Sequence, residues 1–233
     1  MDQDGIPGAL FFNLNKDSPF SFKCQVCGAC CHNKAIQVAP YEALRLARRL
    51  GISTTEFYRT STEEGGTILR NKPDGSCIFL TAGGCDVYPD RPLVCRLFPL
   101  GQISDEEGRE KYAAMPLHPD CLGLFGEDET VGSYLDAQET GPYFHYDMLY
   151  TAVYKKMPAR LKTAGYETSE TGTCSDSGPR DVRSSPQNIL SNWFDIDRTV
   201  ALFCRQHGRK EPKSLEETVS LHLEAIEAWL QAF

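Results

Sequence analysis

The sequence predicts an α+β protein: a small, irregular, cysteine-rich module packed on a mainly helical C-terminal half. Three observations carry this expectation. Eight of the ten cysteines fall between positions 24 and 121, at Cys24, Cys27, Cys30, Cys31, Cys77, Cys85, Cys95 and Cys121. Residues 81–126 are rich in glycine and proline, so loops held by cross-links are expected there rather than regular elements. Beyond residue 126 apolar residues recur at helical spacing. The expected division is 1–126 and 127–233, with a mobile loop near 165–188, where Ser, Thr, Gly and Pro dominate. At 233 residues and 41% hydrophobic content the chain can bury a sizeable core, which excludes disorder throughout.

The elements follow in order. FSFK, ahead of Cys24, reads as a strand with Phe20 and Phe22 on one face. Pro40 to Leu50 reads as a helix, with proline in the first turn and Gly51 at the end. Leu44, Ala47 and Leu50 form its expected buried stripe; Arg45, Arg48 and Arg49 are assigned to a solvated face. Ser53 to Glu56 is a capping box opening a second helix that carries Phe57. Thr67–Arg70 and Ser76–Leu80 read as short strands around a Pro73-Asp74-Gly75 turn. Thr130–Gln138, Tyr143–Met157 and Ile189–Gln206 carry helical patterns. Ser214-Leu215-Glu216-Glu217 caps a last helix to about Gln231, with Leu215, Val219, Leu223, Ile226 and Leu230 along one face.

The formal charge of -8 and pI of about 5.2 argue against nucleic acid and anionic lipid as partners. No apolar run approaches the ~20 residues that cross a bilayer. The first residues carry two aspartates and no early basic residue, unlike a secretory signal, so a cytoplasmic protein is expected. In a reducing compartment clustered thiols favour metal or redox chemistry over disulfides or an unliganded core. The first four cysteines form C-x-x-C-x-x-C-C. Two residues between thiols let both sulfurs reach one tetrahedral ion. Gly28, inside the second step, permits a positive φ beside such an ion. Neighbouring side chains generally diverge, so Cys30 and Cys31 are expected to serve two nearby centres or one polynuclear cluster. Soft thiolates suit zinc and iron–sulfur clusters alike, and the spacing leaves both open.

His32 and His118 could each replace a thiolate, although eight thiols already suffice. Arg91 and Arg96 flank Cys95, and Lys23 and Lys34 flank the first run. Four thiolates around one divalent ion leave a net charge of about -2, which the arginines would offset by binding sulfur or nearby backbone. An anionic substrate is the alternative partner for the arginines. Tyr88 reads as a packing group with a bonded hydroxyl rather than a catalytic one. His145, His207 and His222 read as ordinary surface or packing residues. Cys174 reads as a free loop thiol and Cys204 as a buried core residue. No Walker, Rossmann, nucleophile-elbow or zincin motif is present, and the sequence assigns no reaction.

Cys24 to Cys31, CIFL at 77–80 and GCDVYPDRPLVCRLFP at 84–99 together resemble the CxxCxxCC, or YkgJ-type, cysteine-cluster family. The similarity runs from about residue 20 to about residue 126. It includes the string Tyr88, Arg91, Pro92, Cys95, Arg96, Phe98 and Pro99. Where the family often has proline after the fifth cysteine, this chain has Ile78. The resemblance implies a zinc- or iron-chelating module with up to eight cysteine ligands. Relatives of flagellin lysine N-methylase belong to the family, so it also implies a protein-modifying enzyme with a protein substrate as an alternative. A third reading is a closed, redox-silent zinc module that presents the C-terminal helices to a protein partner.

Overall fold

A computed structural model describes residues 10–63, 66–104, 109–157 and 194–232. It is a mixture of helices and short strands, in the α+β class. The chain forms two compact units. Residues 1–36 and 71–142 make the first, and residues 37–70 and 143–233 the second. Residues 37–70, which the sequence reading places with the cysteine module, therefore group with the C-terminal residues.

The first unit holds the cysteine loops between three two-stranded sheets. Strand β1 (Pro19–Lys23) is antiparallel to β6 (Leu124–Thr130), β2 (Leu80–Thr81) to β3 (Gly84–Cys85), and β4 (Leu100–Ser104) to β5 (Glu110–Ala114). Phe20 and Phe22 are buried on one face of β1, as the alternation requires. Phe20 packs edge-on against Tyr134 of α4 (Val131–Ala137), and Phe22 packs edge-on against Phe98. A short helix, α3 (Leu93–Leu97), carries Cys95. Strands β4, β5 and β6 fall in the stretch expected to be irregular. Their pairing buries Tyr112, Ala113 and Leu100, a non-local gain that the polar sequence between the strands conceals.

The second unit contains α1 (Pro40–Leu50), α2 (Thr54–Ser61), most of α5 (Gly141–Tyr154), α6 (Ile196–His207) and α7 (Leu215–Gln231). Leu44 and Ala47 are buried as expected, but Leu50 is exposed at the helix end; Tyr41, Ala43 and Leu46 complete the buried face of α1. Arg48 is not merely solvated, because it makes two hydrogen bonds to Asp197 at the start of α6. Ser53 and Ser214 cap α2 and α7 by accepting from Glu56 N and Glu217 N. His222, expected to be ordinary, is fully buried, and its Nδ1 lies 2.8 Å from the Tyr150 hydroxyl. The two short strands expected around Pro73-Asp74-Gly75 reduce to isolated bridges, Gln37–Ile68, Thr62–Leu69, His32–Ser76 and Asn71–Cys77. The expected mobile loop, Cys174 and the start of the helix at Ile189 lie outside the described residues. Among the described residues no helix is long and apolar enough to cross a membrane.

Candidate metal centre

All eight sequence-predicted thiols lie in the first unit, and all are free. The C-x-x-C-x-x-C-C run turns at Gly28, whose φ of 76° leads into a single helical turn over Ala29–Cys31. A Cβ there would stand 3.0 Å from Leu80 Cδ1, a tight approach added to the strain of the backbone conformation. Cys77 is brought alongside by a bond from its N–H to the Cys31 carbonyl, 2.8 Å, and Cys85 by pairing with Leu80 across the β2–β3 hairpin. Cys121 reaches Cys27 because Leu122 N–H donates to the Cys27 sulfur at 3.4 Å. Cys30 lies within electrostatic reach of Cys27, Cys77 and Cys121, and Cys31 within reach of Cys77 and Cys95. Cys24 and Cys85 both reach Tyr88.

Contrary to the expectation that adjacent side chains diverge, the Cys30 and Cys31 sulfurs lie 3.9 Å apart. The helical turn that begins at Gly28 rotates them together. With metal–sulfur bonds of about 2.3 Å, two thiolates on one tetrahedral ion lie about 3.8 Å apart. The pair therefore matches an edge of such a site. The hydrogen bond between the two sulfurs leads in lowering the Cys30 thiol to about 7, against the opposing effect of burial, and in raising that of Cys31. The backbone N–H groups of Leu122 and Ala29 lead in holding the Cys27 thiol below its ordinary value. Burial pushes the Cys77 and Cys85 thiols up.

A recurrent feature surrounds these sulfurs. Three of the sulfurs accept from a nearby backbone N–H at 3.4 Å: Cys24 from Val26, Cys27 from Leu122 and Cys121 from Gly123. Donors aimed at sulfur stabilise thiolate over thiol. Cys204, in the core of the second unit, does the opposite and donates its S–H to the Lys210 carbonyl at 3.5 Å. Val26, between Cys24 and Cys27, has a φ of 53°. For a β-branched residue that conformation costs on the order of 1–3 kcal/mol and persists only where its surroundings impose it.

The arginines bind backbone rather than sulfur. Arg96 is 2% exposed and donates to the carbonyls of Arg91, Gln138 and Pro89. Arg91 lies 3.9 Å over the Tyr88 ring and donates to the Tyr88 carbonyl and to Gln138 Oε1. The Tyr88 phenol lies within electrostatic reach of Cys24 and Cys85. The loop that carries Cys85 and Cys95 is thereby pinned to the C-terminal end of α4. Sequence reading missed Gln138 and the backbone N–H donors of Val26, Leu122 and Gly123. A backbone donor leaves no signal in sequence beyond the absence of proline at its position. His32 Nδ1 lies 3.2 Å from the Gly28 carbonyl, and His118 Nδ1 accepts from Asp120 N–H; both are turned to backbone.

The donor set fits a thiophilic metal in its chemistry: soft sulfurs, local N–H donors and a paired sulfur edge. Among the described residues no three Cys, His, Asp or Glu side chains already stand ready to close on one ion.

Such a unit, organised by thiols across loops rather than by a continuous sheet, defines a cysteine-cluster module. Residues 23–118 match the model of the CxxCxxCC family, described as a "putative zinc- or iron-chelating domain". The match covers under half of the chain and stops three residues short of Cys121. No curated protein and no solved structure matches the chain.

Proposed function

We propose that this protein chelates zinc or iron through Cys24, Cys27, Cys30, Cys31, Cys77, Cys85, Cys95 and Cys121, in a compartment that keeps these thiols reduced. The observation that supports this most is the contrast in hydrogen bonding. The cluster sulfurs of Cys24, Cys27 and Cys121 accept from a backbone N–H, whereas the core thiol Cys204 donates. Thiols that only packed would not need donors aimed at them. When bound, zinc would cross-link the loops, and an iron–sulfur cluster would add one-electron chemistry. Arg96 and Arg91 hold the Cys85–Cys95 loop in register.

Alkylation of the native protein, mapped by mass spectrometry before and after metal removal, tests this reading. Cys24 and Cys27 are exposed, so burial does not shield them. They should resist alkylation until the metal is removed and react promptly afterwards, while Cys204 stays unreactive until the protein unfolds. Equal alkylation rates at Cys24 and Cys27 with and without metal removal would overturn the proposal.

A further inference from the structure

Cys30 and Cys31 differ from Cys77, Cys85, Cys95 and Cys121 in what keeps them near a second thiol. Their sulfurs lie 3.9 Å apart within one helical turn, and both are half-buried. They are neighbours in the chain, so no distant loop has to hold them together. The pair stays within reach even when the loops around it part. The turn is fixed by the Cys31 N–H, which donates to the Gly28 carbonyl at 2.8 Å, and by the Cys77 N–H, which donates to the Cys31 carbonyl at 2.8 Å. A disulfide between adjacent residues closes a small ring through the peptide that joins them. Adjacent Cα atoms stand about 3.8 Å apart, short of the roughly 4.4–6.8 Å usual across a disulfide, so such a bridge is strained and readily reduced. Ring closure also constrains the torsions on either side of that peptide, and so works against its N–H bond to Gly28.

We infer that Cys30 and Cys31 form a redox switch on metal retention: hydrogen peroxide oxidises the two thiols to a reversible disulfide, which withdraws both from coordination and loosens the turn that presents them. One sulfur attacks the peroxide and takes up one oxygen as a sulfenic acid, and the other oxygen leaves as water. The neighbouring sulfur attacks the sulfenic sulfur, the S–S bond forms, and the second oxygen leaves as water. The pair gives up two electrons and two protons, and one peroxide becomes two waters. A dithiol reverses the step by thiol–disulfide exchange, which frees both ligands for the metal again. Because the loss removes two neighbouring ligands at once, it acts on metal binding more strongly than oxidation of one thiol.

The switch rests on the metal-chelating reading, and one experiment separates failure of the two. Folded protein loaded with zinc, which is itself redox-silent, is treated with one equivalent of hydrogen peroxide. Zinc release is followed with a chromogenic chelator. Remaining thiols are then alkylated under denaturing conditions and mapped by tandem mass spectrometry. Zinc should leave in step with the loss of alkylation at Cys30 and Cys31 alone, the two joined and lighter by two hydrogens. Dithiothreitol should restore both thiols and zinc binding. A bridge through any other pair, irreversible oxidation of Cys30 or Cys31, zinc release with both thiols still free, or retention of zinc once the pair has bridged would overturn the switch while leaving chelation intact. Folded protein that binds no zinc before oxidation would overturn the chelation reading, and the switch with it. Cys31→Ser removes the partner thiol, so peroxide should carry Cys30 on to a sulfinic acid that dithiothreitol does not reduce. Recovery of Cys30 by dithiothreitol in that variant would assign its bridge to another cysteine and overturn the pairing. If the variant fails to fold, the wild-type map decides alone.

Discussion

Replacing Arg96 by methionine would show how firmly the cysteine loops are held to their support. The methionine keeps the apolar stem but removes a guanidinium that is 2% exposed and bonded to three carbonyls, those of Pro89, Arg91 and Gln138. Each buried acceptor left without a donor costs about 1–3 kcal/mol. Gln138 is only half-buried at the end of α4, so its carbonyl can recover water. The Glu139 carboxylate, 78% exposed at 3.6 Å, contributes little. Together these give an expected loss of about 3–5 kcal/mol, comparable with the whole stability of many domains. For a chain of this length that lowers the melting temperature by about 10 °C. Urea denaturation of the metal-loaded proteins measures it, with Arg96→Lys as a control. Lysine keeps a charge, but one ammonium cannot span three carbonyls, so its loss should be intermediate. If Arg96→Met came within about 1 kcal/mol of wild type, the three-carbonyl clamp would not be what holds this loop.

Cys204→Ser should cost about 1–3 kcal/mol, because a hydroxyl replaces a thiol at a site 2% exposed, and should leave metal content unchanged. Cys174→Ser should alter neither metal content nor melting temperature; metal loss as complete as in Cys27→Ser would bring residue 174 into the site. Gly123→Ala should destabilise the first unit by about 1–3 kcal/mol. Its Cβ would stand 2.2 Å from the ring of the buried Phe22, as urea denaturation would register. Burial raises the Asp197 carboxyl, but Arg48 and Thr54 outweigh it and hold the net value below the ordinary one. A depressed carboxyl stabilises the fold above its unfolded pKa and loses that contribution as pH falls through the folded value. Asp197→Asn should therefore destabilise the second unit by about 1–2 kcal/mol at neutral pH, and the difference from wild type should begin to shrink only below about pH 4 and vanish as pH falls through the still lower folded value.

Elements carried by local signals were legible in the sequence. Helix α1 ends where its proline and glycine say, the serine caps open α2 and α7, and alternation marks Phe20 and Phe22 on β1. Elements carried by distant partners were not. β6 becomes a strand because β1, about a hundred residues earlier, pairs with it, and its own sequence, LFGEDET, is mostly polar. At the site, residue type and spacing marked the eight thiols as a group. The same local view misjudged Cys30 and Cys31, because side-chain divergence holds for extended chain and not for the turn that begins at Gly28. The role of Gln138 could not be read, since nothing in a glutamine near a helix end foretells that its carbonyl and side-chain oxygen hold two arginines.

Transition-metal content of the anaerobically purified protein, measured together with its absorption spectrum and its count of reactive thiols, tests chelation most directly. At least one equivalent of zinc or iron is expected, with Cys24 and Cys27 unreactive despite their exposure. A colourless protein would identify zinc, and a brown one an iron–sulfur cluster. Fewer than about 0.5 equivalents of any transition metal, in folded protein whose eight cluster thiols all titrate freely, would contradict the account.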